Sequence, residues 1–265
     1  MKLSRWTAWI LVVVLAISAI PGFAADDSAN KSIDTSSLDQ GIIRITHKAN
    51  NELFRVLVKL GDKQVTYPYV ANGVPETFPL QFGNGEYTVG LLRNVSGTKF
   101  AFVEQTKVKL DLKDPNIVYL NSIQNIKWDP KDQPIVFGGT LIKDLKNAET
   151  AAKAVHTYMT ENIVYDWDKI ATLKKDYVPS ITKTFVDSRG ICYDYSSLLA
   201  AFLRSQGYPT RLVKGYTKFV EGYHAWNEVL IDGKWMIIDS TVDASLKDFK
   251  SIFKKAEDYT KVNDY

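Results

Sequence analysis

The chain has 265 residues, of which 45% are hydrophobic and 24% charged; this is the balance of a folded globular protein and excludes a disordered one. Its formal charge of +3, which falls to +1 without Lys2 and Arg5, gives no electrostatic reason to bind nucleic acid or an anionic membrane surface. The single cysteine, Cys192, excludes an intrachain disulfide and a cysteine-rich zinc site.

The first 25 residues stand apart from the rest. Lys2 and Arg5 precede an apolar run from Trp6 to Ile20 in which only Thr7 and Ser18 are polar, and Pro21-Gly22 and Ala24-Ala25 follow. This is the layout of a secretory signal peptide cleaved near Ala24-Ala25. The run is shorter than the roughly 20 residues a spanning helix needs. A secreted or extracytoplasmic protein with no stable membrane span is therefore expected. Residues 26–40 are polar and read as a flexible leader.

Residues 41–125 read as β structure. Phe54, Val56, Val58 and Leu60 alternate with Arg55, Leu57 and Lys59, and later runs around Tyr87–Leu91 and Val108–Leu112 do the same. Gly61-Asp62, Asn72-Gly73, Asn84-Gly85 and Ser96-Gly97 supply turns between them. About seven short strands of this kind suggest a small antiparallel sandwich. Residues 126–143, with Pro130, Pro134 and Gly138-Gly139, read as a linker. From 144 onward the apolar period becomes helical, with Asn147 placed to cap a helix over 148–161 and a second short helix near Asp166. His47 has no second imidazole nearby, and His156 has no carboxylate or cysteine at metal spacing. Both read as structural residues, and no metal or cofactor is expected.

The chemistry concentrates in two places. Gly190 leads into a buried helix whose stripe is Leu198, Leu199, Phe202 and Leu203 and whose stop is Gly207 and Pro209. Cys192 sits in its first turn, where unpaired N–H groups and the positive end of the helix dipole favour a thiolate, the attacking form of sulfur. Asp194 shares that turn, either as a favourable charge at the dipole or as a brace for the chain leading into the helix. The second place is a hairpin centred on Asp232-Gly233. A two-residue turn puts Ile231 opposite Lys234, Trp226 opposite Asp239 and His224 opposite Thr241. His224 and Asp239 then share a face as diagonal neighbours, about 7–8 Å or less between Cβ atoms, within reach of a hydrogen bond. Asn227, the rival third member, is turned to the opposite face. The arrangement is that of nucleophile, base and orienting group: Cys192, His224 and Asp239. Tyr193 and Trp226 are candidates for the walls of a substrate pocket.

These strings resemble the transglutaminase-like superfamily: Arg189-Gly190-Ile191-Cys192-Tyr193-Asp194-Tyr195, Gly207-Tyr208-Pro209, Gly215-Tyr216, His224-Ala225-Trp226-Asn227-Glu228-Val229, and Lys234-Trp235 leading to Asp239-Ser240-Thr241. The resemblance implies an α+β fold, a papain-like transglutaminase core over residues 144–265 preceded by the small all-β sandwich-like module. It also implies acyl transfer from an amide to the Cys192 thiol, then to water or an amine. The substrate so implied is a peptide or protein, cell-wall peptide included, with hydrolysis favoured over crosslinking. The backbone N–H of Cys192 is the natural first oxyanion donor, and the sequence assigns no second one. No Asp/Glu cluster supports a calcium requirement. The competing reading is a non-catalytic binding or wall-associated protein with an idle domain.

Overall fold

The computed structural model describes residues 31–246 and 251–265, so the expected signal peptide and residues 26–30 lie outside the described residues. The chain opens with β1 (Ile33–Asp34), β2 (Ile42–Ile45), β3 (Lys48–Leu60), β4 (Lys63–Asn72), β5 (Glu76–Pro79), β6 (Gly85–Ser96) and β7 (Lys99–Leu110). These pair antiparallel in two sheets, ordered β1-β2-β5 and β4-β3-β6-β7. Alternation explains the packing. Ile43 and Ile45 from one sheet and Val56, Val58, Tyr67, Tyr69, Val89 and Leu91 from the other are all buried. Leu60 pairs with Lys63 across the Gly61-Asp62 turn, as the sequence predicts.

Two sequence expectations need correction here. The leader is not loose from residue 32 onward. Ile33 is buried and pairs with Ile45, and the Ser32 N–H donates to Glu104 Oε2 at 2.7 Å. An edge strand of two residues needs only one apolar side chain, too little to alter the local composition. The linker holds α1 (Gln133–Ile142), with Pro134 in its first turn and Ile135 and Ile142 buried. Gly138 is no break in it: a Cβ there would lie 2.7 Å from the Phe202 ring, so glycine permits the close approach of α1 to the central helix.

The second part comprises α2 (Ala148–Asn162), β8 (Val164–Tyr165), α3 (Trp167–Ala171), α4 (Ile181–Asp187), β9 (Arg189–Gly190) and α5 (Cys192–Arg204). It continues with β10 (Thr210–Thr217), β11 (Val220–Ile231), β12 (Lys234–Ile238), α6 (Ser240–Leu246), β13 (Phe253–Lys254) and β14 (Tyr259–Asp264). Asn147 caps α2 through its side chain to the Thr150 N–H at 2.9 Å, and Asp166 caps α3 through Lys169 N–H at 3.1 Å. The antiparallel sheet runs β13-β12-β11-β10-β14, and the buried helix α5 crosses it. Asn227 fastens the two: its Nδ2 donates to the Ser196 carbonyl at 2.9 Å and the Arg211 carbonyl at 3.1 Å. The whole is an α+β chain with an N-terminal all-β region.

One hydrophobic core runs through both parts. Tyr67 of the β module meets Tyr265 edge-on at 5.7 Å, and Arg55 pairs with Asp176 at 2.8 Å. Arg204, fully buried, donates to the carbonyls of Thr210 (2.8 Å), Asn121 (2.9 Å) and Tyr265 (2.6 Å). It joins the end of α5, the segment leaving the β module and the chain beyond β14. Hydrogen bonds from a charged donor contribute about 1.5–3 kcal/mol each. Arg204→Met keeps the stem and strands three acceptors, so the unfolding free energy should drop by about 3–5 kcal/mol, read from urea denaturation as a lower midpoint at unchanged slope.

Candidate active site

Cys192 is the first residue of α5 and is half-buried. The turn that delivers it is organised by Asp194, which has no exposed surface. Asp194 Oδ2 accepts the Ile191 N–H at 2.9 Å and Lys169 Nζ at 2.6 Å, while Oδ1 accepts the Tyr177 hydroxyl. Asp194 is therefore the brace of this turn, and its charge is neutralised before it can oppose a thiolate. The glycine before the turn is equally constrained: a Cβ on Gly190 would lie 2.6 Å from Asp194 Cβ.

The hairpin supplies the other side. Asp232 and Gly233 have φ of +48° and +75°, the left-handed pair that a tight two-residue turn requires. Pairing runs from Ile231 opposite Lys234 to Asn227 opposite Ile238. There β12 ends, because Ser240 begins α6, so the expected pairing of His224 with Thr241 does not form. Asp239 sits at this junction and uses both oxygens. Oδ1 accepts the Val242 N–H at 3.0 Å, capping α6, and Oδ2 meets His224 Nε2 at 2.8 Å and the Tyr259 hydroxyl at 3.0 Å.

With Nε2 engaged, Nδ1 is the nitrogen left for the sulfur, and Cys192 lies close enough to His224 to act on its imidazole. Burial is the largest influence on the imidazole and depresses it. The hydrogen bonds to Asp239 and Cys192 and the negative charge of both outweigh that effect and raise His224 to about 10. The structure thus brings Cys192, His224 and Asp239 together, with His224 as the imidazolium at neutral pH.

The two wall candidates differ. Tyr193 is half-buried beside the sulfur, edge-on to Tyr177 at 6.2 Å. Trp226 is 1% exposed and packs with Val213, Ile237 and Tyr259, its ring stacked 6.3 Å from His224. It backs the imidazole and excludes water from the Asp239 bond instead of facing an open cleft.

Sequence reading missed two neighbours of the sulfur. Tyr165, placed beside Gly190 by the parallel β8–β9 pair, has its hydroxyl oxygen facing the Cys192 backbone N–H. Burial, then the Cys192 charge, lifts its hydroxyl to about 12, so it stays a neutral donor. The signal was its place one residue before the Asp166 cap, two strands from Cys192 only once β8 and β9 are paired. Lys214 on β10 is the other: burial lowers it to about 7 against an opposing pull from Cys192. His156 is a packed structural residue, with a partner that sequence spacing does not reveal. Its Nε2 meets Asp243 Oδ2 at 2.8 Å, a carboxylate 87 residues later in the chain, in a buried tie between α2 and α6. His47 bonds Ser32 Oγ at 2.9 Å. Among the described residues, no group of three or more His, Cys, Asp or Glu side chains could hold a metal ion. Among them, too, no helix is long and apolar enough to cross a membrane. Two clefts of about 380 and 740 Å³ lie between the β module and residues 175–179, and neither is lined by Cys192 or His224.

Residues 138–240 match the family model of the transglutaminase-like superfamily, an interval that contains all three side chains. This region is a transglutaminase-like core. The uncharacterized protein ML0607 of Mycobacterium leprae is 34% identical over 109 residues, 35% of this chain and 39% of its own length. The uncharacterized protein YebA of Bacillus subtilis is 36% identical over 136 residues, 50% of this chain and 18% of its own. The chain thus spans well under half of either curated relative. Among solved structures, a candidate cysteine protease from Cytophaga hutchinsonii is 14% identical with a TM-score of 0.47, covering 83% of this chain and 73% of that one. Likeness at that level decides nothing about activity.

The transglutaminase-like core makes a linkage prediction. The folded pKa of His224, about 10, exceeds its free value of about 6.5. The stability this contributes is complete below about 6.5 and is lost as pH rises through about 10. Lys214, whose pKa is lowered, tilts the whole-protein curve the other way, so the difference between wild type and His224→Gln is the quantity to measure. That difference in unfolding free energy should shrink steadily between pH 6.5 and 10 in urea titrations.

Proposed function

We propose that the chain is an exported cysteine-dependent acyl-transfer enzyme that cleaves amide bonds of peptides or cell-wall material, with hydrolysis favoured over crosslinking. The observation that carries this reading is His224 bridging a helix-start sulfur and a buried carboxylate. The apolar N-terminal run supports export. Cys192 is half-buried, which speaks against an idle domain with a plugged sulfur.

In this reading the Cys192 thiolate attacks the amide carbonyl carbon, and the oxygen takes up negative charge. The Tyr165 hydroxyl, whose oxygen faces the Cys192 N–H in the resting protein, and that N–H once it turns to the substrate are the donors proposed to receive it. The His224 imidazolium then protonates the amine nitrogen, the C–N bond breaks, and the amine leaves. A thioester remains. Water attacks it while neutral His224 takes up the proton. The carboxylic acid departs, and the thiolate and imidazolium are restored. Asp239 holds the ring in register throughout and remains ionised.

Mass spectrometry of products after incubation with a peptide and a small primary amine tests the assignment. Wild type should release new carboxyl termini, and Cys192→Ala should lose at least about a thousandfold in rate. Equal rates in the two proteins would remove Cys192 from the chemistry, and amine adducts in place of acids would make the enzyme a crosslinker. Tyr165→Phe should lower kcat by about ten- to a hundredfold with little change in KM, somewhat less than loss of a full oxyanion donor because the Cys192 N–H remains. A change confined to KM would make Tyr165 a binding residue.

A further inference from the structure

Lys214 has an unusual position. It projects from β10, half-buried, with Nζ 3.4 Å from the centroid of the Tyr193 ring and 5.2 Å from that of Tyr265. Tyr193 directly follows Cys192, so the ammonium lies above the first turn of α5, within electrostatic reach of the sulfur. The other cations withdrawn from water in this part of the chain have hydrogen-bonding partners: the buried Arg204 has three backbone carbonyls, and the rest have carboxylates. Lys169 pairs with Asp194, Arg211 and Lys261 with Glu228, and Lys254 with Asp243. Among the described residues, no carboxylate lies within ion-pair distance of Lys214.

A desolvated cation without an anion is unfavourable. The two tyrosine faces offset part of that cost, but they do not supply a counter-charge. The neighbouring helix start adds positive potential, so the space beside Cys192 favours an anion from two directions. The sulfur occupies one position there. The surface of Lys214 that stays open to solvent leaves room for another anion, delivered by a ligand.

We propose that Lys214 docks a carboxylate of the acyl donor, so that the preferred substrates are amides bearing a free carboxylate close to the scissile carbonyl. The proposal rests on the acyl-transfer reading for its consequence, but not for its test. Tyr193 then serves as the aromatic floor on which the ammonium is held, which gives this wall residue a definite task. Lys214 is a specificity-determining residue in this account, and the chemistry at the carbonyl stays with Cys192, His224 and Tyr165.

Iodoacetate and iodoacetamide separate the possibilities. Each forms an S–C bond to Cys192 as its C–I bond breaks and iodide leaves; only iodoacetate carries a carboxylate. At pH 6 the ratio of the two rates in wild type should exceed that in Lys214→Met by about tenfold, the size expected of one charge-assisted hydrogen bond. Lys214→Arg should keep most of the ratio, and iodoacetamide alone should change less than twofold. Matching circular dichroism spectra and melting curves confirm that the variants fold. Equal slowing of both reagents would overturn the proposal, making Lys214 a stabiliser of the thiolate, and an unchanged ratio would overturn it outright. A wild-type sulfur no faster than a free thiol would strike at the acyl-transfer reading instead, while the ratio of rates on the same atom would still decide Lys214. With a matched substrate pair, Lys214→Met should raise KM for the carboxylated amide and leave its carboxamide twin unaffected.

Discussion

Asp239 is a carboxylate with no exposed surface, and a buried charge is tolerated only when donors replace its lost water. Three do so, and each comes from a different element: the His224 ring on β11, the Tyr259 hydroxyl at the start of β14, and the Val242 N–H in the first turn of α6. The charge therefore ties together the elements that surround the candidate site. It also accounts for the abrupt end of β12. The same carboxylate that would continue the strand instead opens a helix, and one oxygen is then free to hold the imidazole. Trp226 and Tyr259, 5.0 Å apart, seal the bond from behind. With water excluded the attraction is stronger than it would be at the surface, and this is what allows His224 to stay protonated despite its burial.

The central part of this arrangement was legible because it is local. Asp232-Gly233 admits one turn type, that turn sets the register, and the register places His224 and Asp239 on one face. Cys192 was legible for a similar reason, since Gly190 before it and Gly207-Tyr208-Pro209 after it bound a helix by residues that act within a few positions. What escaped was non-local. His156 finds Asp243 across 87 residues, and no spacing rule connects them. Tyr165 approaches Cys192 only because two strands of two residues each pair in parallel. The strand that carries Tyr259 was missed as well. Its sequence, Tyr-Thr-Lys-Val-Asn-Asp, is mostly polar because it lies at the edge of the sheet with much of its surface in water. Residues 32–40 were misread for lack of apolar content, although Ile33 suffices to anchor them, and α1 was misread because Pro134 and Gly138-Gly139 look like breaks where they are a first-turn proline and a close approach to Phe202.

The β module is more than a neighbour of the core. Arg211 lies with its guanidinium 3.7 Å from the centroid of the Trp235 ring and 4.6 Å from that of Tyr119, while Trp235 and Tyr119 meet edge-on at 5.2 Å. Ser197, on α5, donates to the Asn125 carbonyl at 2.8 Å. These contacts join the helix of Cys192 and the hairpin of His224 to the segment that leaves the sandwich. Tyr265 extends the link to Lys214: it touches Tyr67 on one side, and on the other Lys214 lies over its ring. A change in the β module can therefore reach the surroundings of the sulfur through two aromatic side chains, with no need for a moving part between them.

The charges around Cys192 have a consistent order. The helix start and the His224 imidazolium both present positive potential to the sulfur. The two nearby carboxylates are each withheld from it, Asp194 by Lys169, Tyr177 and the Ile191 N–H, and Asp239 by the His224 ring placed between. His224, held at about 10, carries its proton at neutral pH before any substrate arrives. In the proposed reading that proton goes to the departing amine as the C–N bond breaks. Amide cleavage demands that order, because an amine anion is too poor a leaving group to depart unprotonated. The site's electrostatics thus favour breaking the C–N bond over merely forming a tetrahedral adduct, which is the physical basis for reading it as an acyl-transfer centre and not as a reactive thiol alone.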